Sequence, residues 1–419
     1  MSSDTDRAIE RALRLSYGKL IAFLSARTRD VAAAEDALSD AFASALQSWP
    51  AQGVPDNPDA WLLTVARRRL IDLARQRHVR DDAQGHLLLL AELAQDDADE
   101  PAAAIPDDRL LLMFACAHPA LDADVHAPLM LQAVLGLNAA TIASAFLLSP
   151  ATMGQRLVRA KNKIKQARIP FRLPAEDELS DRLQAVLDAI YAVYAEGWSD
   201  PVDVEGRSRQ LADEALWLAR VVAALLPSEP EALALLSLLL YAQSRRRARR
   251  SDNGDYVPLS EQDTNLWDAP MIVEAESLLQ RASTPDSRPG IGRFQLEAAI
   301  QSAHAVRAHK GESDWHAIAG LYDALSQLTG SPVVAVNRAV AIARSTNAAN
   351  GLTQLDLISS DKRLQQYQPY WAARARLLAQ AGRKAEALDA YQHAIGLETD
   401  AAVRRFLQRN RDALSASPT

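Results

Sequence analysis

Cysteine occurs once in 419 residues, at Cys116. A single thiol excludes an internal disulfide and any multi-cysteine zinc site, and it fits a reducing compartment. Aromatic residues are also scarce, at 5% of the chain. Strand-rich cores draw on aromatic and β-branched residues, so this scarcity, with Ala and Leu dominant, predicts an all-α protein. No stretch of about 18 uninterrupted apolar residues exists, so no membrane span is expected and no membrane partner. The opening segment MSSDTDRAIERALRLSYGKL lacks the apolar core of a secretion signal, and a cytoplasmic location is expected. Also missing are a nucleophile–base arrangement, a phosphate-cradling glycine loop and an HExxH motif, so neither catalysis nor a cofactor is expected. Cys116 and His118 sit two apart without further ligands nearby in sequence; a packed pair is expected there and no metal.

An overall excess of positive charge is absent too: 46 Lys and Arg stand against 53 Asp and Glu, a net charge of -7. The layout matters more than the sum. From Trp61 to Arg80 there are six arginines and one acid, Asp72. From Ala151 to Arg172 there are seven basic residues and no acid. Between them, Glu92 to Asp108 holds seven acids and no base. Two basic segments on an acidic, Pro-containing linker suggest two nucleic-acid-binding modules. Exposed charges act within a Debye length of about 8 Å, so acidic residues far from the patches do not prevent binding. The alternative is that each block is a solvated helix face. The length itself predicts two to four domains.

The first module spans residues 7–80. Arg7 to Leu24 and Val31 to Trp49 read as amphipathic helices, the second with Ala34, Ala37, Leu38, Phe42, Ala45 and Leu46 inward. Glu35, Asp36 and Asp40 take its other face, and Asp30 is placed to cap it. PAQGVPDNP is a loop, and Asn57 or Asp59 leads into a third helix, apolar early and basic late. Trp61 is either a core residue or an aromatic that stacks on an unpaired base.

The second module spans residues 109–172. Leu110 to His118 and Ala127 to Val134 read as helices, followed by a helix-turn-helix pattern. Ser149 is placed as an N-cap with Pro150 at the first helical position. Met153 and Leu157 face inward, while Thr152, Gln155, Arg156 and Arg159 point out, where they can enter a major groove. Gly154 costs about 1 kcal/mol inside a helix, which suggests close approach by DNA or a neighbouring helix.

The stretches AEDALSDAFASALQSWP, NPDAWLLTVARRRLIDLARQR and IASAFLLSPATMGQRLVRAKNKIK together resemble the bacterial extracytoplasmic-function sigma factors of the sigma-70 family. The resemblance covers about the first 170 residues. It implies a region 2 domain, a linker and a region 4 domain, with bacterial core RNA polymerase and promoter DNA as partners. It places Glu35, Asp36, Asp40 and Phe42 on the polymerase. It places Trp61, Arg67, Arg68, Asp72 and Arg75 at the −10 element, and Thr152, Gln155, Arg156, Leu157, Arg159 and Lys161 at the −35 element. Arg68 stands where the family often has Asn, and Gly154 where a basic residue is common. The linker, 81–108, would thread a channel of the polymerase as a carboxylate chain, or serve as a solvated tether.

The remaining chain, 175–415, reads as a tetratricopeptide-like helical domain. In YWAARARLLAQAGRKAEALDAYQHAIGL the pattern's key positions carry Trp371, Ala375, Leu378, Gly382, Ala387, Tyr391 and Ala394. Trp315, Ile318, Ala319 and Tyr322 make a partial second match. The order of the parts resembles one subgroup of these sigma factors, in which the extension itself is thought to control activity. YAVYAEGW, RRRARRSDNG and FACAHPAL look like stretches of that subgroup. Arg245 to Arg250 is a solvated helix end or a third DNA contact, the former favoured. Asp188, Tyr191, Glu196 and Trp198 are packing residues or line a ligand groove, and a protein or ligand partner of this domain stays open. Two other arrangements share parts of the pattern: a helix-turn-helix regulator with a repeat-based sensor, and a tetratricopeptide scaffold with a basic surface. The two basic modules and the carboxylate face argue against the regulator.

Overall fold

The computed structural model describes residues 16–78, 107–146, 148–199, 207–284 and 290–416. Its described residues are helical throughout with no strand, apart from one isolated antiparallel bridge between Arg250 and Tyr256. The all-α expectation therefore holds. The chain divides into two units, Met1–Trp198 with Gly206–Leu218, and Ser199–Glu205 with Ala219–Thr419. The expected boundary near residue 175 does not coincide with this division. The linker expected at 81–108 lies almost wholly outside the described residues.

The first unit begins with a helix over 16–28 (α1), then α2 (Val31–Gln52) and α3 (Pro58–His78). Local chemistry starts these helices where the sequence indicates. The Asp30 side chain accepts from Ala33 N at 3.1 Å, and Asn57 Oδ1 accepts from Ala60 N at 3.1 Å. Leu20, Ile21, Leu24, Leu38 and Leu62 are fully enclosed. Each such side chain contributes about 1.5–3 kcal/mol on leaving water. Trp49 is buried too, and Trp61 packs edge-on against it at 5.4 Å. Trp61 is thus half-buried against Trp49, with part of its ring still open to solvent.

The same unit continues with α4 (Arg109–Cys116), α5 (Ala123–Ala133), α6 (Ala139–Ala145), α7 (Pro150–Gln166) and α8 (Glu176–Ser199). Leu112, Met113, Phe114 and Cys116 form its centre, and burial pushes the Cys116 thiol far above its usual range. His118 instead turns its Nδ1 to accept from Ala120 N at 3.0 Å. Arg182 on α8 donates to the Phe114 carbonyl at 2.7 Å, which ties that helix to α4. Among the described residues no cluster of metal-ligating side chains occurs. No described helix is long and apolar enough to cross a membrane.

The second unit stacks helices in chain order. α10 (Pro230–Ser244), which follows α9 (Arg207–Leu225), is apolar all round and buried, and it packs on α11 (Ala269–Ala282) and α12 (Arg293–Ala305). The pair Gln368–Gln380 and Lys384–Leu397 encloses Ala375, Leu378, Ala387, Tyr391 and Ala394. Small residues at these points let the two helices approach closely.

The Arg245–Arg250 run corrects both readings given to it. Arg245 is buried and donates to Gln301 at 2.5 Å, and Arg250 pairs with Asp400. Asp255 accepts from Arg405 and Arg409, and Tyr256 meets Phe406 edge-on at 5.5 Å. The segment docks on the last helix, Ala401–Ala416, with Arg245 and Arg250 both engaged inside the unit. Only Arg247 is exposed. Glu196 and Trp198 lie outside the described side chains; Asp188 accepts from Gln184 at 3.1 Å within α8.

Candidate nucleic-acid interface

α7 is a well-terminated helix. Ser149 accepts from Thr152 N at 3.1 Å, Pro150 occupies the first turn, and Lys163 and Lys165 lie in the last turn, where the helix dipole favours cations. Its sides differ in chemistry. Met153, Leu157, Ala160 and Ile164 are buried. Ala151, Thr152, Gln155, Val158 and Arg159 are exposed. Arg156 lies at the edge, its Nη1 donating to Asp124 at 2.9 Å. That exposed pair is worth at most about 1 kcal/mol, so the guanidinium is easily released. A cleft of about 390 Å³ beside it is lined by Asp122, Asp124, Arg156, Arg159 and Lys163.

Lys161 is not on the outer face. Its side chain is 10% exposed and its Nζ donates to Glu35 Oε2 at 2.5 Å, across 126 residues. One turn on, Lys165 pairs with Asp30 at 2.7 Å. Burial pushes the Glu35 carboxyl above the usual range, against the pull of Lys161, and its Oε1 is buried without a hydrogen-bond partner. The helix thus locks to α2 at its C-terminal half. α1 in turn meets the end of α5 at Gly18, where a Cβ would come within 2.1 Å of the Val134 carbonyl. Gly136, held at φ 72°, leaves room for the Tyr17 ring in the same seam.

The carboxylate face of α2 is accordingly divided. Asp36 and Asp40 are exposed, Asp40 accepting from Arg69 at 2.7 Å. Glu35 is in the seam and Phe42 is in the core, 6% exposed, so neither stands on an open surface. On α3, Arg68 and Asp72 are exposed. Arg67 is buried, its guanidinium 5.0 Å from the Phe23 ring centre, with Arg27 over the same ring at 3.3 Å. The side chain of Arg75 lies outside the described residues. The two modules expected to be separate on a linker pack directly on one another.

The Sigma-70 region 2 family matches residues 13–80. The chain contains a Sigma-70 region 2 domain. That domain implies binding to core RNA polymerase and promoter DNA, and a role in transcription initiation. Residues 182–283 match a family of unknown function, DUF6596. An uncharacterized protein of Rhizobium meliloti (strain 1021), R00370, is 39% identical over 417 residues, covering 99% of this chain and 96% of that protein. The chain belongs to one full-length family with it. No solved structure matches the chain.

Two features escape a local reading. Lys161 looked like part of the outer basic set because residues 159 to 165 are dense in cations; its acceptor comes from another helix. Val158 is exposed although an apolar residue in an amphipathic helix ordinarily belongs to the core. Its position between the exposed Gln155 and Arg159 was the available signal.

Proposed function

We propose that this protein is a sigma factor of the extracytoplasmic-function type, which binds bacterial core RNA polymerase and directs it to a defined promoter class, performing no chemistry of its own. The supporting observation is the sigma-70 region 2 match over the segment that presents Asp36, Asp40, Arg68 and Asp72 to solvent. Asp36 and Asp40 dock on polymerase, with Glu35 joining them once it leaves the seam. Trp61, Arg68, Asp72 and Arg75 act at the −10 element. α6 and α7 form a helix-turn-helix that brings Thr152, Gln155, Arg156 and Arg159 to the −35 element. The helices beyond residue 219 form a tetratricopeptide-like extension that controls activity through a protein or ligand partner.

The α2–α7 seam sets a condition on this function. Elements at −10 and −35 lie roughly 85 Å apart along a duplex that rises about 3.4 Å per base pair. Packed helices lie about 8–10 Å apart, so α3, α2 and α7 span roughly 20 Å in the closed unit. Engaging both elements at once requires Glu35 and Lys161 to part. The closed unit is the polymerase-free form. Run-off transcription with purified core polymerase and a pool of promoter fragments tests the assignment. Initiation at defined sites that depends on this protein supports it; unchanged core background refutes it.

A further inference from the structure

The outer face of α7 carries more than the polar and basic residues assigned to it. Ala151, Gln155, Val158 and Asn162 follow one another at helical spacing and are all exposed. Val158 is 54% exposed, though the core-facing side of the helix has places for apolar residues. Ala151, Gly154, Gln155, Val158 and Arg159 line one shallow open depression. A Cβ built on Gly154 meets nothing within 4 Å, so no neighbouring part of the described chain requires the glycine. This corrects the reading of Gly154 as a close approach to another helix. The face is apolar in the middle and flanked by an amide, a guanidinium and, at its start, the Ser149–Thr152 cap.

Resting on the sigma-factor reading above, we propose that Val158, with the bare backbone at Gly154, reads thymine methyl groups in the −35 element. Duplex DNA is the occupant that this chemistry fits. Arg159 and Lys163, both exposed, supply phosphate attraction beside the patch. The N-terminal residues of such a helix meet base edges, and Val158 lies at the helix midpoint, one turn on from Gly154 and Gln155. In the major groove the thymine C5-methyl is the one apolar group a base presents, and valine covers it. Gln155, one turn back, is placed for bidentate pairing with an adenine. The patch therefore specifies A·T steps through the thymine methyl as well as through the adenine that Gln155 can pair. Gly154 keeps the flank clear for the duplex at the expense of helix stability.

The test uses the full chain with core polymerase. A −35 element is first selected from a random duplex pool. Each dT in it is then replaced by dU, which removes only the methyl. One or two replacements should weaken binding about fourfold, the worth of one buried methyl. In Val158→Ala the same replacements should have no effect. Gly154→Ala should raise the melting temperature and yet lower affinity, a combination that a purely structural glycine would not give. The proposal is overturned if no dU replacement affects the parent protein, if Val158→Ala retains the full dU effect, or if the selected element holds no thymine. Absence of any selected element would instead bring down the sigma-factor reading together with it.

Discussion

Replacing Lys161 with methionine keeps the aliphatic stem but removes the ammonium that faces Glu35. The carboxylate, 13% exposed, would lose the ammonium 2.5 Å from its Oε2, while Oε1 already lacks a partner. Breaking a buried ion pair from one side costs about 3–5 kcal/mol. The residual exposure and the ability of Glu35 to take up a proton reduce this to about 2–4 kcal/mol at neutral pH. The sign of the pH dependence follows. Burial alone raises the folded carboxyl further above its unfolded value, so the penalty is absent below about pH 4.3 and grows as pH rises through the folded value. The double change Glu35→Leu with Lys161→Met removes both charges and should restore stability or exceed it. Amide hydrogen exchange in α2 and α7 reads this seam locally and is the assay. The single variant should exchange there roughly 30- to 1000-fold faster, and the double variant at or below the parent rate, since each 1.4 kcal/mol is a factor of ten. Opening should also strengthen binding to core polymerase. Unchanged exchange in Lys161→Met, or a double variant as labile as the single, would refute the reasoning.

Three further outcomes are expected. Burial, with Arg245 and Arg307 nearby, lowers the His304 pKa to about 4. Its contribution is fully present above about pH 6.5 and is lost as pH falls through 4, about 3 kcal/mol in all. Thermal melts of His304→Phe between pH 7 and 4 should show that dependence removed. Asp400 accepts from Arg250 and from the backbone N–H groups of Ala402 and Val403. Asp400→Ala should therefore cost about 2–4 kcal/mol and fray the last helix, whereas Asp255→Ala, facing exposed arginines, should leave the urea titration close to the parent's. Gly18→Ala places a methyl against the Val134 carbonyl and should destabilise the first unit by about 1–3 kcal/mol; a melting temperature equal to the parent's would contradict the packing described.

Much of the local structure was legible in the residues. Asp30 and Ser149 cap the helices they precede, Met153 and Leu157 turn inward, and the Ala, Leu and Tyr spacing of 370–397 packs as its period implies. These depend on neighbours within one or two turns. What was hidden depends on partners far along the chain. A lysine whose acceptor lies 126 residues away looks like any surface lysine, and Lys161 was placed on the DNA side for that reason. The arginines of 245–250 look solvated until Asp400, 150 residues on, and Gln301 supply their acceptors. The glycine at 18 carries no local signal of the carbonyl that presses on it. Among the candidate site residues, those on exposed turns (Asp36, Asp40, Arg68, Thr152, Gln155, Arg159) stayed where periodicity put them. Phe42 is in the core, as its spacing implies, whereas Glu35, Arg67 and Lys161 are turned inward, because charge at a helix edge is compatible with either side.

The central claim is that this protein confers promoter selectivity on a bacterial RNA polymerase. Its most direct measurement is run-off transcription by purified core enzyme with and without the full chain on the same template pool. Discrete transcripts that appear with the protein, and weaken together when Arg159 and Gln155 are replaced by alanine, are the expected result. A transcript pattern identical to that of core enzyme alone, with no stable association between the two, would contradict it.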